Sequence, residues 1–173
     1  PQLRRVLVAD NGKLYGVFES YIWDEQEKEN LLRLSVYQVL PFAATPIIQL
    51  ELPDTGGWWS LFEATPFQIS NGYLYYTSSE NVPFLGARDE IVMVNLETRE
   101  EHRLLNEDGQ RFQLYTWRLL ENGTLFFAGQ DLTASTTVSG EINTQGVVAN
   151  PNSTDNLQIA TMTSASRVIK DIK

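Results

Sequence analysis

Five carboxylates fall in stretches that read as connections between strands: Glu19, Asp24, Glu80, Asp89 and Asp131. Two carboxylates facing each other across a glycosidic bond, one protonated and one ionised, can hydrolyse it. The spacing of these five selects no pair, so no acid and base can be named for a reaction. Other chemistries lack parts. The single histidine, His102, lies in Arg-Glu-Glu-His-Arg-Leu-Leu, a charged sequence suited to a solvated outer strand, and the chain has no cysteine. A zinc site therefore lacks ligands. A Ser-His-Asp triad has only His102 to draw on and no Gly-x-Ser-x-Gly elbow. Phosphate-cradling glycine motifs are absent. Asn106-Glu107-Asp108-Gly109 has the flavour of a calcium loop but lacks the alternate ligands and distal glutamate, and reads as a turn. No cofactor is implied.

Residues 52–59 read Leu-Pro-Asp-Thr-Gly-Gly-Trp-Trp. Asp-Thr-Gly resembles the turn that presents the catalytic carboxylate of an aspartic protease, but that chemistry needs a second such Asp from a paired lobe. Leu-Pro-x-Thr-Gly resembles a sortase tag, which is followed by an apolar span and a basic tail; here more than 110 residues of ordinary domain follow. Pro presets φ, Asp bonds the backbone and Gly accepts positive φ, so the stretch reads as a turn. Trp58 and Trp59 come next. Neighbouring strand residues point to opposite faces, so one ring can pack while the other stacks on a sugar or anchors a partner. The candidate binding set is Trp58, Trp59, Asp24, Glu80, Arg88 and Asp131.

The elements that must position these residues follow from the chain's bulk and repeats. With 173 residues and an apolar fraction of 42%, the chain can bury a real core. A net charge of −9 disfavours nucleic acid and anionic lipid as partners. No apolar run approaches the roughly 18 residues of a membrane-spanning helix. The start, Pro-Gln-Leu-Arg-Arg, has neither an initiator Met nor a signal-peptide core, which points to a processed protein or a piece of a longer one.

One phrase recurs three times, in residues 6–18, 66–78 and 117–129: an apolar-rich run, Asn-Gly, one residue, Leu and an aromatic. The turns start at Asn11, Asn71 and Asn122, 60 and 51 residues apart. Asn-Gly between such runs signals a tight hairpin in which both turn residues take positive φ. A second pair of strands follows each hairpin: 30–40 with 47–52, 89–96 with 101–105, and 155–162 with 166–172. No stretch has a helical period. The expected fold is a single all-β unit over 1–173, made of three four-stranded antiparallel repeats (about 4–52, 64–105 and 112–173), with a β-sandwich as the alternative.

The middle unit, Ile69-Ser-Asn-Gly-Tyr-Leu-Tyr-Tyr with Asp89-Glu-Ile-Val-Met-Val-Asn-Leu-Glu-Thr, resembles the TolB-like and WD40-like β-propeller repeats. The first unit shares part of the pattern and the third only its first hairpin. The resemblance implies a propeller-like arrangement of about three blades. A propeller usually takes roughly four to eight. The remainder would come from a larger parent protein or from further copies in a homo-oligomer. Together with the acidic, cysteine-free, Asn/Thr/Tyr-rich composition, the TolB-like phrasing leads to the expectation of an extracytoplasmic location, periplasmic or at the cell surface.

An antiparallel meander puts the Asn-Gly turns and the third-to-fourth strand turns at one end. The long connections 19–30, 52–65, 78–90, 106–111 and 129–154 are then expected at the other. Binding residues concentrate on loops held by a rigid scaffold. The expected function is a non-catalytic binding or scaffolding module whose long-loop face contacts a protein, peptide or glycan. The alternative is the propeller portion of a hydrolase, a glycosidase or peptidase-gating domain with carboxylates in that face.

Overall fold

A computed structural model describes residues 1–26, 28–53, 67–82, 86–105 and 112–161. Its strands are β1 (Gln2–Val8), β2 (Leu14–Asp24), β3 (Glu29–Leu40), β4 (Ile48–Pro53), β5 (Gln68–Ser70), β6 (Tyr73–Val82), β7 (Gly86–Asn95), β8 (Glu101–Arg103), β9 (Phe112–Leu119), β10 (Thr124–Asp131), β11 (Thr136–Asn143) and β12 (Leu157–Thr161). They form three four-stranded antiparallel sheets in sequence order: β1–β4, β5–β8 and β9–β12. The all-β class and the threefold repetition are therefore correct. Among the described residues, no helix is long and apolar enough to cross a membrane.

All three Asn-Gly pairs make hairpins, by two routes. Asn71 and Gly72 have φ of +52° and +80° and form the whole loop, since Ser70 pairs with Tyr73. The outer two are three-residue loops in which only the glycine is left-handed. Gly12 N–H donates to Ala9 O at 2.9 Å and Ala9 N–H to Lys13 O at 2.9 Å. Gly123 N–H donates to Leu120 O at 3.0 Å and Leu120 N–H to Thr124 O at 2.9 Å. This is a type I turn closed by a glycine bulge, and it asks positive φ of one residue instead of two. The asparagines still serve, because the Asn11 and Asn122 carboxamide oxygens accept from the N–H groups two residues on.

The third repeat corrects the strand reading. Its third strand is β11, inside the stretch 129–154 expected to be loop, and its fourth is β12. Residues 166–172 lie outside the described residues. Strand β11, Thr-Thr-Val-Ser-Gly-Glu-Ile-Asn, alternates correctly but carries Gly140 at an inward position. The ring of Phe127, its cross-strand partner, fills that space, and a Cβ on Gly140 would stand 2.5 Å from ring atoms. After β11 comes a six-residue helix, α1 (Thr144–Ala149), capped by the Asn143 side chain. Thr144 donates to Gly123 O from N–H at 3.0 Å and from Oγ1 at 2.7 Å. The connection 144–156 is thus long and stands beside an Asn-Gly turn.

The other expected loops shrink in the same way. Strands β2 and β3 leave only four residues between them, and so do β10 and β11. The pairing of β2 with β3 runs out to Asp24 opposite Glu29. Among the described residues, the long connections do not gather away from the Asn-Gly turns.

The chain divides into two compact units, Pro1–Tyr76 with Met93–Glu101, and Thr77–Val92 with His102–Lys173. In the first unit, Asn71 N–H donates to the Asp10 carboxylate at 2.7 Å and Arg99 Nη1 to Pro46 O at 3.1 Å. These bonds tie the turns of the first sheet to those of the second. In the second unit, Trp117 Nε1 donates to Thr77 Oγ1 at 2.8 Å and Leu114 N–H to the Asp89 carboxylate at 2.7 Å. These join the third sheet to β6 and β7.

Candidate interaction surface

Asp24 and Asp131 share one local job. Asp131 Oδ1 accepts from the N–H groups of Thr133 and Ala134 at 2.8 and 3.0 Å, and Asp24 Oδ1 from Gln26 N–H at 2.7 Å. In each case the residue four positions on is left-handed: Ser135 at φ +54° and Lys28 at φ +54°. Asn95 repeats the device, accepting from Glu97 and Thr98, with Arg99 at φ +66°. An Asx residue, three turn residues and one left-handed residue reverse the chain in about one strand width. Asp24 lies in the first unit and Asp131 in the second.

The remaining carboxylates sit on strands rather than loops. Glu19, in mid-β2, is buried and held bidentately by Arg4, Nε to Oε2 and Nη2 to Oε1, both at 2.8 Å. Those bonds push the Arg4 pKa up. Arg4 reaches Glu19 because it is the extra residue of a bulge in β1. Asp89 is buried in β7 and accepts from Leu114 N–H; its neighbour Glu90 is buried against Arg103. Glu80 and Arg88 belong by backbone to β6 and β7, and their side chains are outside the described set. Trp58, Trp59 and the Asp54-Thr55-Gly56 turn lie outside the described residues altogether; Leu52 and Pro53 end β4. His102 is half-buried in β8. Among the described residues, no group of three or more His, Asp or Glu could hold a metal ion.

What the first unit presents is a surface. One face of the first sheet carries Tyr15, Val17, Leu32, Leu34, Val36 and Ile48, all buried. Tyr15 is close enough to Arg99 and Glu97 to feel their charges, and burial is the main reason its phenol is raised above its ordinary value. The opposite face carries Val6, Phe18, Tyr37 and Val39, with Phe42 in the β3–β4 connection and Leu3 folded over Gly16. Phe18 and Tyr37 meet edge to face at 5.7 Å. They line a groove of about 440 Å³ whose polar members are Ser20, Arg33, Ser35 and Gln49. Arg33 is paired with Glu51 at 2.6 Å. Val6 is 52% exposed and Phe42 74% exposed. Water is a poor neighbour for so much contiguous apolar surface.

Sequence reasoning searched loops and missed this face. A signal existed in the strand sequence: β2 and β3 carry apolar residues at both parities, as strands covered on both faces do. Compared with protein-family models, with curated proteins and with solved structures, the chain matches none.

Proposed function

We propose that this chain is a propeller-type repeat segment, of the kind its TolB-like and WD40-like phrases suggest, and that it works as a binding or scaffolding module rather than a catalyst. One observation carries the reading: the first sheet has an apolar, grooved face that the described residues leave exposed at Val6 and Phe42, while its other face is packed. The partner is a protein. A glycan would need a lining dominated by hydrogen-bond groups, whereas Phe18, Tyr37, Val39, Phe42 and Ala44 outweigh the polar Ser20, Arg33, Ser35 and Gln49 in the groove, and Leu3 and Val6 extend the exposed apolar area of the sheet. The hydrolase alternative loses support because Glu19, Asp24, Asp89, Glu90 and Asp131 each hold a turn, a backbone N–H or an arginine. The extracytoplasmic location belongs to the same reading and rests on the acidic, cysteine-free composition and the repeat phrasing.

A photo-crosslinking amino acid at position 42 tests the surface, with position 97, in an exposed turn, as the control. The expected result is a protein adduct from position 42 and none from position 97. Equal labelling at both positions, or none at position 42, would remove the proposed surface.

A further inference from the structure

The first two strands of the first and third sheets pair in the same register, and the match shows how the faces of the two sheets correspond. Both begin with the same three-residue hairpin at Asn11-Gly12 and Asn122-Gly123. Both have a one-residue bulge in the leading strand at the same distance from that turn. Arg4 is extra opposite Val17 and Phe18, and Tyr115 is extra opposite Ala128 and Gly129. With the turns aligned, Val6 corresponds to Trp117, Gly16 to Phe127 and Tyr15 to Phe126. Even the ring-and-glycine complementarity is kept with its sides exchanged: Phe127 lies opposite Gly140, and Tyr37 opposite Gly16.

Burial reverses between the two sheets. Trp117 and Phe127 are 4% and 3% exposed, in the unit where Trp117 bonds Thr77 of β6. The counterpart of Trp117, Val6, is 52% exposed, whereas Gly16, the counterpart of Phe127, is covered by the Phe18 and Leu3 side chains of its own sheet. Conversely Tyr15 is 1% exposed and its counterpart Phe126 is 40% exposed. Thr77 itself corresponds to Val17 and Ala128 when the Asn-Gly turns are aligned. The face that covers the third sheet is therefore the same face, repeat for repeat, that the third sheet leaves bare.

We propose that the third sheet of one copy packs its bare face on the uncovered face of the first sheet of another copy, joining copies head to tail. This rests on the reading of that first-sheet face as a protein-binding surface, and names its occupant. The bare third-sheet face has a matching hollow of about 370 Å³ where Phe126, Ser139, Glu141 and Ala160 surround the backbone of Gly140. Such a contact is heterologous, using different patches on the two partners, and closes into a ring or continues as a filament. Two copies would hold six sheets.

Sedimentation of the purified full chain over a range of concentrations tests this, with Val6→Arg blocking one face and Ala160→Arg the other. Both side chains are exposed, so folding should survive, and circular dichroism checks it. If Val6→Arg fails to fold, Phe42→Glu replaces it. The expected result is association of the unaltered chain, weakened at least about tenfold by either substitution alone. An equimolar mixture of the two variants should recover a two-copy species, because each supplies the face the other lacks. A chain that stays monomeric, a loss confined to the first-sheet variant, or a mixture that stays monomeric would overturn the proposal. A monomeric chain that still forms adducts from position 42 would leave the binding-module reading standing with a different partner.

Discussion

In β7, Ile91, Val92, Met93 and Val94 are consecutive and all buried, so that strand of the second sheet has no solvent face. The first sheet starts from a kindred phrase and has strands as long or longer, yet Val6, Val8 and Phe42 stand in water while Tyr15, Val17 and Val36 are packed. The comparison separates two demands on a strand. Residues of one parity must be apolar to fold the sheet at all. Residues of the other parity are apolar only where something covers them. In the second sheet that cover is in place. In the first, none of the described residues supplies it at Val6, Val8 and Phe42, so the apolar character of that parity is not explained by burial within the described sheet.

The largest effect that could break this contrast comes from charge. Val92→Asp should cost more than about 4 kcal/mol and unfold the chain, because a buried carboxylate without a partner cannot be solvated. Phe42→Asp should change stability by no more than about 0.5 kcal/mol. Urea titration reads both, and equal effects would end the distinction between the two sheets. Next in size is a pair of glycines. Gly140→Ala drives a methyl into the Phe127 ring and should cost about 1 to 3 kcal/mol. Gly16→Ala meets Phe18 Cε2 and Leu3 Cδ1 at 2.7 and 3.1 Å, the ends of side chains on an open face, and should cost less than about 1 kcal/mol.

Smaller again is the loss of a turn. Asp131→Ala strands two N–H groups and should cost about 1 kcal/mol, with Asp24→Ala costing less at its more exposed turn. Catalytic carboxylates would show the reverse, with activity lost and stability kept. The smallest effect is one of pH. Burial raises the Tyr15 phenol above its ordinary value, so the unfolded chain releases this proton first. Stability should be indifferent to Tyr15 at lower pH and fall as pH rises through that value and beyond. Thermal melts of Tyr15→Phe should lack that part of the alkaline loss.

Much of the fold was legible because hairpin turns are local. Asn-Gly needs only its own φ angles and a register, so the three starting points and the strands beside them could be placed without knowing what they pack on. The Asx turns after Asp24, Asn95 and Asp131 were equally local, but their sequences, Asp-Glu-Gln-Glu-Lys, Asn-Leu-Glu-Thr-Arg and Asp-Leu-Thr-Ala-Ser, have in common only an Asp or Asn at the first position. Their common left-handed fifth position is held by Lys28, Arg99 and Ser135, residues that carry no such signal. Long hairpins therefore passed for long loops, and Glu19 and Asp89 for loop carboxylates.

The sequence by itself determined that this chain is β throughout its regular core, where its three hairpins begin, and that it carries no cysteine and a single histidine. The reason is that turn propensity and side-chain alternation act over a few residues. Only the tertiary structure decided which parity of each strand is covered. Gly140 is an inward strand position because Phe127 fills its space from the next strand, and Val6 is exposed because none of the described residues lies over it. Both facts depend on what stands across from a residue rather than beside it in sequence.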